Sequence, residues 1–104
     1  GLPEAASAAR VSFKDAEAAT NFVTNIIQAG IPVARCEIID PQTIRAVNHY
    51  KGTNYPEEMT VFLEFHGNSE GVKADAVLAE ELARHHDTLA FDSSTNPEER
   101  ARLW

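Results

Sequence analysis

The segment Met59 to His66 constrains the fold of this chain more than any other. Met59, Val61, Leu63 and Phe65 alternate with Thr60, Phe62, Glu64 and His66, the period-two pattern of a strand with one face on a core. Ala8 to Phe13 repeats the pattern more briefly, with Ala9, Val11 and Phe13 on one face. Val33 to Ile39 is a β-branched stretch closed by Asp40-Pro41, and Thr88 to Asp92 is a fourth short strand.

Helices separate these strands. From Asp15 to Ala29 the apolar positions Ala16, Ala19, Phe22, Val23, Ile26 and Ile27 recur at helical spacing. Gly30 follows as a residue able to take the left-handed conformation, and Pro32 prevents continuation. Asp40 can cap a short helix that opens at Pro41, carries Ile44 and Val47 on its apolar side and ends near Tyr50. Lys51 to Glu58 is a loop by composition. After the Gly67-Asn68-Ser69 turn, Ser69 caps a second long helix running to about His86, with Val72, Ala76, Ala79, Leu82 and Ala83 as its buried stripe. Thr95 or Asn96 then caps a last helix with Pro97, Glu98 and Glu99 in its first turn.

The order β-α-β-(short α)-β-α-β predicts an α+β fold: a ferredoxin-like split βαβ arrangement with a four-stranded antiparallel sheet and both long helices on one face. The other face is then left without cover of its own. It carries Thr60, Phe62, Glu64 and His66 on one strand and Val33, Arg35, Glu37 and Ile39 on another, opposite Ala34, Cys36 and Ile38. Such a mixture of charged and large apolar groups suits a surface that meets a partner. The last helix has only begun where the sequence stops at Leu103-Trp104, so the 104 residues read as one domain that is part of something larger.

Composition narrows the class of function. A formal net charge of −7 with no basic cluster gives no footprint for nucleic acid or an anionic membrane surface. No apolar run approaches the ~20 residues of a membrane span, and Gly1-Leu2-Pro3-Glu4 lacks the features of a signal peptide. The expectation is a soluble, cytoplasmic domain. A single cysteine excludes an internal disulfide or a CxxC motif. Cys36 falls on the helix-covered face, which makes it a small core residue rather than a nucleophile.

Among candidate chemical groups, His85 and His86 are neighbours on a helix and point about 100° apart, too far to share one ion. Glu64 and His66 share a strand face about 7 Å apart, and Arg35 and Glu37 have the same relation on a strand of the same sheet. A carboxylate, an imidazole and a guanidinium converging there could bind or deprotonate a small hydroxy acid. The plainer alternative is an ion-paired sheet surface, which contributes little to stability. Gly-rich phosphate loops, nucleophile elbows and zinc-protease motifs are absent from the sequence.

An ordered set of strings carries a family resemblance. It runs from Ala29-Gly30-Ile31-Pro32 through Cys36-Glu37-Ile38-Ile39-Asp40, Ala46-Val47-Asn48-His49-Tyr50 and Tyr55-Pro56-Glu57-Glu58 to Phe62-Leu63-Glu64-Phe65-His66-Gly67. It closes on Glu99-Arg100-Ala101-Arg102-Leu103-Trp104. Together these resemble the C-terminal cap domain of FAD-linked oxidases of the D-lactate dehydrogenase and glycolate oxidase GlcD-subunit type. The resemblance implies a two-part enzyme in which an N-terminal domain of the same polypeptide binds FAD and the cap sheet covers the flavin to shape the substrate site. A D-2-hydroxy acid would lose hydride to the flavin, and a divalent metal would sit at a His-x-Gly-Asp-Gly-Asn-x-His type motif that this sequence lacks. On that basis the chain is the first part of a cap, inactive by itself, binding neither FAD nor metal and carrying no catalytic residue. The full-length enzyme could sit peripherally at a membrane.

Arg35, Glu37, Asn48, Glu64 and His66 are the positions expected to face the substrate or the FAD domain, while Asp40 reads as a helix cap. Asn48 can be a packing hydrogen bond or a pocket residue. The alternative function is a stand-alone ferredoxin-like module that dimerises through its sheet faces and binds a small ligand between them; a purely structural interaction domain is a third.

Overall fold

A computed structural model describes residues 4–103. The expectations for the N-terminal Gly1 to Pro3 and for Trp104 at the end of the last helix lie outside the described residues. The elements are β1 (Ala5–Phe13), α1 (Ala16–Gln28), β2 (Arg35–Ile39), α2 (Pro41–Lys51), β3 (Met59–Gly67), α3 (Ser69–Ala83), β4 (Thr88–Ser94) and α4 (Pro97–Leu103). The four strands form one antiparallel sheet in the order β2-β3-β1-β4. The strands joined by α1 are therefore separated by β3, and those joined by α3 are separated by β1. This is the split βαβ layout expected of an α+β chain with this element order.

Local chemistry places the helix ends. Asp15 accepts from the Ala18 N–H at the start of α1, and Gly30 follows its end at φ +74°, where a side chain would be strained. Asp40 accepts from the Thr43 N–H, with Pro41 at the first helical position of α2. Asn68, rather than Ser69, caps α3 through the Gly71 N–H. Asn96 receives the Glu98 and Glu99 N–H groups at the start of α4.

The main core lies between the sheet and the two long helices. Ala9, Val11 and Phe13 of β1 and Val61, Leu63 and Phe65 of β3 meet Ala18, Ala19, Phe22 and Ile26 of α1 and Val72, Ala79 and Ala83 of α3. Phe22 sits 5.0 Å from Phe13, centroid to centroid. The buried stripe of α1 follows the 18-22-26 ridge, so Ala16 and Ile27, expected inside, are exposed. The helix α3 ends at Ala83, three residues short of the expected His86, and His85 and His86 lie in the following turn. His86 is nonetheless ordered, with its Nε2 3.0 Å from Asn25 Nδ2 and its ring edge-on to Phe22.

Two expectations about the sheet faces are corrected. Cys36 is exposed, as is Ile38. The edge strand β2 lies beyond the helices, which pack chiefly over β1, β3 and β4. The second face is not bare either. Ile44 of α2 joins Ala8, Ile39 and Phe62 in a separate buried cluster, with Tyr55 and Leu103 packed against it. The short helices α2 and α4 thus roof part of that face, because each has one large aliphatic residue to bury and the sheet offers Phe62 and Ala8 beneath.

Candidate functional site

What remains open on the second face is a strip of charge. Antiparallel pairing sets Arg35 opposite Glu64 and Glu37 opposite Phe62, and strand alternation puts His66 on the same side as Glu64. The side chains complete the contact. Arg35 Nε donates to Glu37 Oε1 at 2.7 Å, and Arg35 Nη1 lies 3.9 Å from Glu64 Oε2. Glu64 Oε1 is 2.7 Å from His66 Nε2, and His66 Nδ1 is 3.7 Å from Glu4. The Arg35 guanidinium also lies over the Phe62 ring, its Cζ 4.9 Å from the centroid.

The strip is graded in exposure. Glu64 keeps 22% of its side chain in solvent, whereas Arg35, Glu37 and His66 keep 43%, 39% and 44%. A cleft of about 320 Å³ opens beside it, lined by Ala8, Arg35, Phe62, Glu64, Pro97, Arg100 and Ala101. A smaller one of about 210 Å³ adjoins His66, Glu4 and Arg100. This geometry can hold a small polar ligand against a guanidinium while a carboxylate fixes the orientation of an imidazole. Two larger hollows, of about 460 and 440 Å³, run between α3 and β4. Neither is lined by a histidine, and Glu80 and Arg84 there form an i,i+4 ion pair on the surface of α3. The residues singled out from the sequence line the smaller clefts, Arg35 and Glu64 one and His66 the other.

Four of the five expected residues come together: Arg35, Glu37, Glu64 and His66. Asn48 stands apart. Its Nδ2 donates to the Tyr55 carbonyl at 2.8 Å, and its Oδ1 accepts from the Tyr55 N–H and from Thr53 Oγ1, both at 2.9 Å. The loop it shapes presents Tyr55 to α4. The Tyr55 hydroxyl donates to the Arg102 carbonyl, and the Arg10 guanidinium lies 4.6 Å over its ring while reaching the Leu103 carbonyl.

Arg100 was missed. It lies three residues before Leu103, on the same side of α4, and Leu103 was the visible apolar anchor. That spacing was the available signal. Cys36, beside the strip, has its thiol pushed above the ordinary value near 9.0 by partial burial and then by the Glu37 carboxylate. Among the described residues no group of three or more His, Cys, Asp or Glu converges as a metal site.

Comparison with known proteins gives this geometry a context. The family of FAD linked oxidases, C-terminal domain, matches residues 2–104. A probable mitochondrial D-lactate dehydrogenase of Danio rerio is 36% identical over 104 residues, covering 100% of this chain and 21% of that protein. A mitochondrial D-lactate dehydrogenase (cytochrome) of Arabidopsis thaliana is 27% identical over 103 residues, 99% of this chain and 18% of that protein. One from Kluyveromyces lactis is 26% identical over 98 residues, 90% of this chain and 17% of that protein. The chain thus spans about a fifth of the length of these relatives.

Proposed function

The chain belongs to the C-terminal domain family of FAD-linked oxidases, and from that premise we propose that it is the substrate-side part of the cap of a flavin-dependent D-2-hydroxy-acid dehydrogenase, with D-lactate as substrate. The observation that carries the proposal is the Arg35–Glu64–His66 strip, left open on the sheet face that α2 and α4 otherwise roof.

The chain's own residues do not fit the dinucleotide. The β3–α3 turn brings Gly67 and Gly71 to a strand-to-helix junction, but Glu70 occupies the first turn of α3 and would repel a pyrophosphate. FAD therefore belongs to the remainder of the same polypeptide, where it supplies the hydride acceptor. A metal site likewise belongs outside this chain. What the present residues do is bind and orient. Arg35, stacked on Phe62, meets a substrate carboxylate; Glu64 fixes the imidazole of His66; Phe62 and Ala8 exclude water from the floor of the cleft. No proton transfer is assigned to this chain.

A face-to-face dimer, the alternative function, has less apolar surface to bury once Phe62, Ile39 and Ile44 are already covered. No helix among the described residues is long and apolar enough to cross a membrane; a cytoplasmic location, peripheral to the membrane or not, is part of the same proposal.

The test is made on the full-length protein. Its flavin should bleach under D-lactate, with glycolate as the comparison substrate. Glu64→Gln and His66→Asn should each lower kcat/KM by about 10- to 100-fold while moving the melting temperature only a few degrees, since exposed ion pairs contribute little to folding. Activity and stability falling in parallel would return the strip to an ordinary sheet surface.

A further inference from the structure

We infer that Arg100 and Arg35 face each other across the cleft between α4 and the sheet as the two sides of a carboxylate site. Arg100 is thereby a specificity-determining residue for a small 2-hydroxy or 2-oxo acid. The inference rests on the reading of this face as the substrate side and names a residue that reading does not use.

Arg10, Arg35, Arg45 and Arg84 each meet a carboxylate within 4.0 Å. Among the described residues Arg100 meets none, and its Nε is shut off from solvent with no hydrogen-bond partner there. A guanidinium donor removed from water and left without an acceptor is unfavourable unless a ligand supplies the acceptor. Arg100 also lines both clefts, one shared with Arg35 and Glu64 and the other with His66 and Glu4. The larger cleft is lined by two guanidinium groups and one carboxylate, Glu64, which already holds His66, while Glu37, outside the lining, accepts from Arg35 Nε.

On a protein of formal net charge −7, Arg35 is held by Glu37 and Glu64, so Arg100 is the guanidinium of this cleft that no carboxylate meets among the described residues and marks the place an anion would take. The planar fork of each arginine matches a carboxylate and selects against a neutral alcohol. The cleft's volume of about 320 Å³ suits an acid of a few heavy atoms. With the carboxylate between Arg35 and Arg100, the carbon bearing the 2-hydroxyl would lie beside Glu64, the other charged residue of the lining.

The experiment uses the full-length flavoprotein with two readouts, steady-state kinetics on D-lactate and calorimetric titration with pyruvate, with inorganic phosphate as the competing anion. Arg100→Met should raise KM about 10- to 100-fold with kcat within about threefold, and pyruvate binding should weaken by a similar factor. Arg100→Lys, which keeps the charge without the fork, should recover part of both. Arg84→Met, on the far side of the sheet, should change neither.

Unaltered KM and pyruvate affinity in both Arg100 variants would overturn the inference and leave the cap reading standing. Phosphate displacing pyruvate with equal affinity would overturn it as well, because the site would then lack selectivity for carboxylate. If no 2-hydroxy acid bleaches the wild-type flavin, the cap reading fails separately. The titration then decides Arg100 alone: binding that needs Arg100 supports the carboxylate site, and no binding ends it.

Discussion

Replacing Asn48 by alanine tests whether that side chain serves the loop or the cleft. The substitution removes three hydrogen bonds, to the Tyr55 carbonyl, the Tyr55 N–H and the Thr53 hydroxyl. At about 1 kcal/mol net for each, the loss is about 3 kcal/mol. Alanine is the better helix former by about 0.6 kcal/mol, which offsets a little of that. The loop is only half-buried, so water can reach the freed groups and the penalty stays near the simple sum. The expected net loss is therefore about 2 kcal/mol, or about 8–16 °C in melting temperature for a chain of this size. Asn48→Asp keeps both accepted bonds but sets a carboxylate against the Tyr55 carbonyl, and should fall between alanine and wild type. Urea unfolding of the chain gives the stability, and hydrogen exchange at the Tyr55 amide gives the local effect. A melting temperature within about 3 °C of wild type, with the Tyr55 amide still protected, would refute the reasoning. The loop would then be held by the Tyr55 contacts to Arg10 and α4 instead.

The remaining predictions concern the core and the two groups with displaced titrations. Phe22→Ala, fully buried against Phe13, should cost about 3–5 kcal/mol in urea unfolding. The Asp40 carboxyl is held below its ordinary value near 3.8, first by the Thr43 N–H at the α2 cap. Its contribution is complete above the ordinary value and is lost as pH falls through the lower folded one. In Asp40→Asn the acid limb of a melting curve, followed from about pH 5 to 2, should be flatter. An unchanged limb would assign acid sensitivity to other carboxylates. Cys36 is exposed, yet its raised pKa leaves little thiolate at neutral pH. Alkylation should be slow at pH 7 and faster in Glu37→Gln, whose rate would otherwise match wild type if the carboxylate had no influence.

Element order and strand alternation were legible because they are local. The β3 pattern from Met59 to His66 places Glu64 and His66 on one face whatever surrounds it, and the caps at Asp15 and Asp40 act within one helical turn. The first residues of β1 were not legible, since Ala5, Ala6 and Ser7 carry small side chains with little strand preference and are held by pairing with β3. Cys36 was misplaced because alternation states which face a residue is on and not whether a helix reaches that far.

The sequence by itself determined the strands, the two long helices, and the residues that share a sheet face. Those follow from side-chain periodicity, which needs no partner. Only the tertiary structure decided that Arg35 stands opposite Glu64, that α2 and α4 roof part of the second face, and that Arg100 lines the cleft there with its Nε unpartnered among the described residues. Each of these depends on register and packing between segments distant in the chain, so the shape and charge of the cleft exist only once those segments meet.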